Sequence, residues 1–96
     1  VFYGFLPHKK GRKTLTQEIV DQKYTSVVYE SPHRFMKLMK ALIEMGAGDR
    51  LVAVGRELTK MYEEIRRGSI QEIYHHYIEN PDTIKGEFAL VIQGTK

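Results

Sequence analysis

Thr25-Ser26-Val27-Val28-Tyr29-Glu30-Ser31-Pro32-His33-Arg34 is the stretch that decides the fold. Thr25 to Tyr29 is β-branched and aromatic, so it reads as a strand. Ser31 suits a helix N-cap and Pro32 the first helical position. Phe35, Leu38, Met39, Leu42 and Ile43 then recur at helical spacing, with His33, Lys37, Lys40 and Glu44 on the opposite face. Gly46 is a natural stop. A strand thus passes straight into a helix, with acid, base and hydroxyl groups packed into the junction. In open α/β sheets, ligands bind beyond the carboxyl ends of strands.

Downstream the pattern repeats. Leu51 to Val54 is a continuous apolar run, as expected of a strand covered on both faces. Gly55 offers a turn or a close backbone approach, and Arg56-Glu57-Leu58-Thr59-Lys60 forms a second charged cluster. Upstream, Phe2 to Leu6 reads as a strand halted by Pro7. A basic loop, His8 to Lys13, follows. The next helix has Leu15, Ile19 and Val20 on one face, with Thr14 and Gln17 as a candidate cap. Met61 to Arg67 alternates as an exposed strand would. Ser69-Ile70-Gln71-Glu72 matches a capping box and opens a helix that buries Ile70, Ile73, Tyr74 and Tyr77 until Asn80-Pro81. Phe88 to Ile92 is a last buried strand, entered through Lys85-Gly86-Glu87. The order β-α-β-α-β-β-α-β predicts an α/β domain, a mixed β-sheet with flanking helices, spanning residues 1–96 as one unit.

The bulk composition narrows the function. With 96 residues, 42% apolar and 28% charged, the chain suits a single globular core. No apolar run is long enough to span a bilayer. The absence of cysteine excludes disulfides and thiolate metal sites and fits a cytoplasmic protein. The formal charge of +3 is local in origin. Without Lys9, Lys10, Arg12 and Lys13, 11 bases would face 12 acids. Such a patch is either a phosphate contact or a solvated loop. His8, His33, His75 and His76 have no metal-site spacing, so no metal is expected. No P-loop, G-x-S-x-G or G-x-G-x-x-G is present.

Arg34 falls near the third position of its helix, where a cation opposes the macrodipole by roughly 0.3–1 kcal/mol. A site role would account for it: pairing with Glu30 or Glu57, or holding a carboxylate or phosphate bidentately. The alternative is an Arg that swings into solvent. Glu30 either meets the amides of the helix start or a ligand, or forms a surface ion pair with Arg34. The cluster from Arg56 to Lys60 is a site or an internal salt-bridge knot.

Together, Gly4-Phe5-Leu6-Pro7, Tyr29 to Arg34, Arg56 to Lys60 and Lys85-Gly86-Glu87 resemble one family across essentially the whole chain. They are similar to the C-terminal half of the ribosomal RNA small subunit methyltransferase I family, in the tetrapyrrole methylase superfamily. The resemblance implies an S-adenosylmethionine-dependent enzyme that methylates a cytidine 2′-hydroxyl in small-subunit (16S) ribosomal RNA. It implies two α/β domains with the cofactor in the cleft between them, and a homodimer. The glycine-rich loop would belong to an N-terminal domain outside this chain, which is expected to be inactive alone.

By the same resemblance, Tyr29, Glu30, Ala53, Gly86, Glu87 and Phe88 line the cofactor cleft. Arg34, Arg56 and Glu57 are candidates for catalysis, and Lys9, Lys10, Arg12 and Lys60 for RNA contact. A carboxylate, Glu57 or Glu30, is expected to accept the hydroxyl proton. Two rivals stand beside this reading: an RNA-binding or dimerisation module without cofactor contacts, and half of a methylase acting on a small molecule such as a tetrapyrrole.

Overall fold

The computed structural model describes residues 1–58 and 61–96, and side chains outside 57–63. Five strands alternate with three helices: β1 (Phe2–Phe5), α1 (Arg12–Asp21), β2 (Ser26–Glu30), α2 (Pro32–Leu42), β3 (Leu51–Leu58), β4 (Met61–Ser69), α3 (Ile70–Glu79) and β5 (Glu87–Ile92). The expected element order is present. The strands form one mixed sheet in the order β1-β2-β5-β3-β4. β1 and β2 are parallel, and the other three pairings are antiparallel.

All three helices contribute to a single apolar core against one face of the sheet. Ile19 and Val20 come from α1, Phe35, Leu38, Met39 and Leu42 from α2, and Ile70, Ile73 and Tyr77 from α3. The sheet answers with Val28, Val52, Val54, Phe88, Leu90 and Ile92. Period-two alternation sends the intervening residues to the other face. There Leu51, Ile65 and Val91 are exposed and Ala53 and Ala89 are half-buried. The apolar run at Leu51–Val54 predicts a strand covered on both faces, and Phe88–Ile92 a buried one. Among the described residues only one face is covered.

Local chemistry explains most boundaries. Ser69 caps α3: its hydroxyl accepts from the Glu72 amide while the Glu72 carboxylate accepts from the Ser69 amide. Ser31 and Pro32 start α2 as expected, although the Ser31 side chain makes no cap hydrogen bond. After Leu42 the helix widens into a turn through Ile43–Ala47, where Gly46 takes φ +93°. Two expectations fail. α1 begins at Arg12 behind Gly11, whose left-handed backbone (φ +86°) turns the chain, so Thr14 lies inside the helix and caps nothing. β3 continues past Val54 to Leu58, so Gly55 pairs with Ala89 and Ile65 within the sheet and makes no turn.

Candidate functional site

The sheet's directions gather the four sequence clusters. β2 and β3 each run antiparallel to β5, so their carboxyl ends share one edge. The end of β1 lies there too, since it is parallel to β2. The start of β5 completes that edge. Pro7 and the basic loop, Tyr29–Arg34, the end of β3 and Lys85–Glu87 therefore converge, as the strand-end argument predicts.

Alternation divides the candidates between two faces. Glu30, Phe88 and Arg56 form one row across three strands, Glu30 opposite Phe88 and Phe88 opposite Arg56. All three face the helices and are buried. Tyr29 stands opposite Ala89 on the open face, beside the column that holds Ala53 and Gly55. Tyr29–Glu30 and Glu87–Phe88 are neighbouring pairs among the residues expected at the cofactor cleft. Neighbouring residues of a strand point to opposite sides, so the two side chains of each pair face opposite ways. Tyr29, Ala53 and the exposed Glu87 remain on or beside the open face. Gly86 turns the chain into β5 with φ +81°.

Beneath the edge, Glu30 has no exposed surface and its Oε2 accepts from Arg12 Nη2 at 2.5 Å. Arg12 also donates to the carbonyls of Pro7 and Arg34, each at 3.3 Å. One guanidinium thus ties together the turn after β1, the end of β2 and the start of α2. The ion pair expected between Glu30 and Arg34 is not formed. Arg12, from the first turn of α1, takes that place, and Arg34 contributes its carbonyl. Glu30 Oε1 has no hydrogen-bond partner among the described residues.

On the far side of Phe88, Arg56 is 8% exposed and loosely paired with Glu64 at 3.9 Å. Its Nε and Nη1 make no hydrogen bond among the described residues. Glu64 also meets Arg66 at 3.0 Å and accepts from the Tyr77 hydroxyl at 3.0 Å. Burial raises the Glu64 carboxyl. The hydrogen bonds from Arg66 and Tyr77 and the charges of Arg66 and Arg56 outweigh it, leaving Glu64 below its ordinary value. Burial, then the hydrogen bond to Glu64 and its charge, pushes Tyr77 up to about 12. The salt-bridge knot foreseen for the Arg56 cluster is thus present in part, built with residues of β4. The Glu57 side chain and Lys60 lie outside the described residues.

The open face carries an aromatic group that the sequence did not announce. Phe2 and Phe5 set their rings against Tyr29, with centroids 5.5 and 5.7 Å away. Residues three apart in a strand normally face opposite sides. A register shift between Phe2 and Gly4 restores both to the open face. Gly4 supports it with φ +64°. Tyr3 turns inward, where its hydroxyl donates to Glu18 at 2.7 Å and accepts from Gln22 at 3.1 Å. Tyr29 is exposed, whereas Tyr3 is partly buried. Lys9 and Lys10 are exposed in the loop. Among the described residues no cluster of His, Asp and Glu is arranged to hold a metal, and no helix is long and apolar enough to cross a membrane.

Comparison with known proteins agrees with this architecture. The chain is 43% identical over 95 residues to ribosomal RNA small subunit methyltransferase I of Bacillus subtilis, covering 98% of this chain and 32% of that protein. It is 44% identical over 94 residues to the protein of the same name from Halalkalibacterium halodurans, covering 97% and 32%. The match falls in their C-terminal part, and the chain spans about a third of their length. Two solved structures share the fold. Cobalt precorrin-4 methyltransferase, a cobalamin biosynthetic enzyme, superposes with a TM-score of 0.64 at 19% identity over 95% of this chain and 39% of its own. The methyltransferase CobJ gives 0.64 at 12% identity over 99% and 41%. Residues 1–74 match the family model described as tetrapyrrole (corrin/porphyrin) methylases, and the chain belongs to that family.

Proposed function

We propose that this chain is the C-terminal part of an S-adenosylmethionine-dependent methyltransferase that acts on the 2′-hydroxyl of a cytidine in small-subunit ribosomal RNA. The observation that carries the reading is the identity above 40% along nearly the whole chain to proteins named for methylating that RNA. Convergence of the four clusters on one sheet edge supports it. The intact enzyme works as a cytoplasmic homodimer, with this domain and an N-terminal domain enclosing the cofactor. The 96 residues alone transfer no methyl group, because they carry no glycine-rich loop and span a third of the relatives' length.

The open face suits the cofactor. Ala53, Gly55 and Ala89 leave its middle without bulk, in a shallow depression of about 270 Å³ beside Val91 and Arg67. Tyr29, Ala53 and Glu87 would line that wall, with Gly86 setting the entry to β5. Glu30 and Phe88 would shape it from beneath. S-adenosylmethionine, when bound, supplies a methyl group on a sulfonium centre. The chain's own residues position the RNA and move a proton. Glu30 is buried and held by Arg12, so Glu57 is the better candidate to accept the 2′-hydroxyl proton. Arg34 steadies the developing negative oxygen or an adjacent phosphate. Arg56 positions the end of β3 from below. Lys9, Lys10 and Lys60 hold phosphates. Alignment of the hydroxyl with the methyl group supplies much of the rate.

In the intact protein, Glu57→Gln and Arg34→Ala should each lower methyl transfer to small-subunit RNA at least tenfold while the thermal midpoint stays unchanged. Wild-type turnover in both variants would remove these roles. The competing reading, a methylase for a tetrapyrrole, shares the fold of the cobalamin enzyme. Transfer to a tetrapyrrole in place of RNA would establish it.

A further inference from the structure

We infer that the RNA backbone is held in a groove between α1 and α2, where Lys9, Lys13 and Lys37 each contact phosphate and Arg12 acts only as a positioning residue. The inference rests on the RNA-methyltransferase reading and adds Lys13 and Lys37 to its contacts.

The groove has a volume of about 420 Å³. Lys9 reaches it from the loop, Lys13 from the first turn of α1, and Lys37 from the middle of α2. Cations from three separate elements thus line one concavity, and among the described residues no acidic side chain lines it. None of the three lysines has an ion-pair partner among the described residues. Uncompensated like charges lining one groove repel, and an anion is the ligand that relieves them.

The fourth cation there is different. Arg12 is committed to Glu30 and to two carbonyls, and only 16% of its side chain is exposed. Thr16 also lines the groove, but its hydroxyl donates to the Arg12 carbonyl at 2.8 Å. The rest of the floor is Ala41 and Met45. The groove therefore offers spaced charges over an apolar floor, with no aromatic lining. That suits a sugar–phosphate strand and gives no base readout. The loop that supplies Lys9 leaves from the end of β1, so a strand held there leads to the proposed reaction edge.

The test measures binding of a small-subunit ribosomal RNA fragment to the intact protein from 50 to 200 mM salt. Lys13→Ala/Lys37→Ala should weaken binding roughly tenfold or more at 0.1 M salt. It should also flatten the log–log salt slope by roughly 1.4–1.8, as expected for two lost phosphate contacts. The loss should be equal for RNAs of unrelated sequence. Lys23→Ala/Lys96→Ala removes the same charge from exposed positions outside the groove and the strand-end edge and should leave the slope unchanged. An unchanged slope in the groove variant, or an equal change in the control, overturns the inference while leaving methylation of RNA intact. A wild-type protein that does not bind the RNA overturns both.

Discussion

The Arg12 guanidinium meets the Glu30 carboxylate at 2.5 Å beneath the carboxyl end of β2, with the carboxylate wholly buried. The pair joins residues 18 apart and holds the turn after β1 against the start of α2. Removing one partner of a buried pair leaves an uncompensated charge, at a cost of about 3–5 kcal/mol. Arg12→Ala should therefore lower the unfolding free energy by about that amount, measured by urea denaturation. A loss below about 1 kcal/mol would show that the pair is solvated and contributes little.

Gly4 is the second point at which the edge depends on one residue. Its φ of +64° is strained for an L side chain, and a Cβ would meet a Phe2 ring carbon at 3.3 Å. Gly4→Ala should cost about 1–2 kcal/mol and disturb the ring packing around Tyr29. Near-ultraviolet circular dichroism of the variant should change in the tyrosine region. An unaltered spectrum with unaltered stability would mean that the register shift does not need glycine.

The Tyr77–Glu64 contact gives a pH signature. Glu64 titrates below its ordinary value in the folded chain. Its contribution is thus present above the unfolded carboxylate pKa and is lost as pH falls through the lower folded value. Tyr77 is raised to about 12. Its contribution is full below the unfolded value near 10 and is lost as pH rises toward 12. Tyr77→Phe should cost about 1–3 kcal/mol near neutrality, because a buried hydrogen bond to a charged group is removed. It should also reduce the loss of stability between pH 10 and 12. Identical pH profiles for the variant and the wild type would contradict this account.

The elements were legible where local chemistry sets them. The Ser69–Glu72 box, the Ser31-Pro32 start and the α2 stripe stand where the residues predict. Convergence of the two strand-end clusters was also legible, because strand ends are where α/β folds collect polar groups. Other features depend on tertiary context. Nothing local shows that Arg12, and not Arg34, will claim Glu30, since that choice depends on how α1 crosses the end of β2. The continuous apolar run at β3 suggests two covered faces, yet such a run also serves a sheet with one open face. The aromatic group at Tyr29 was hidden because a register shift changes the parity of β1. Lys37 stands exposed, as its spacing predicts, but its sharing of one groove with Lys13 depends on how α1 packs beside α2.

The central claim is the reaction itself, and one measurement tests it most directly. The intact protein is incubated with methyl-labelled S-adenosylmethionine and small-subunit ribosomal RNA, and the RNA is digested to nucleosides and examined by mass spectrometry. Label is expected in 2′-O-methylcytidine, none when either the protein or the cofactor is omitted, and none with the 96-residue chain alone. Label on a base, label on another ribose, or no label from an intact, folded protein would contradict it.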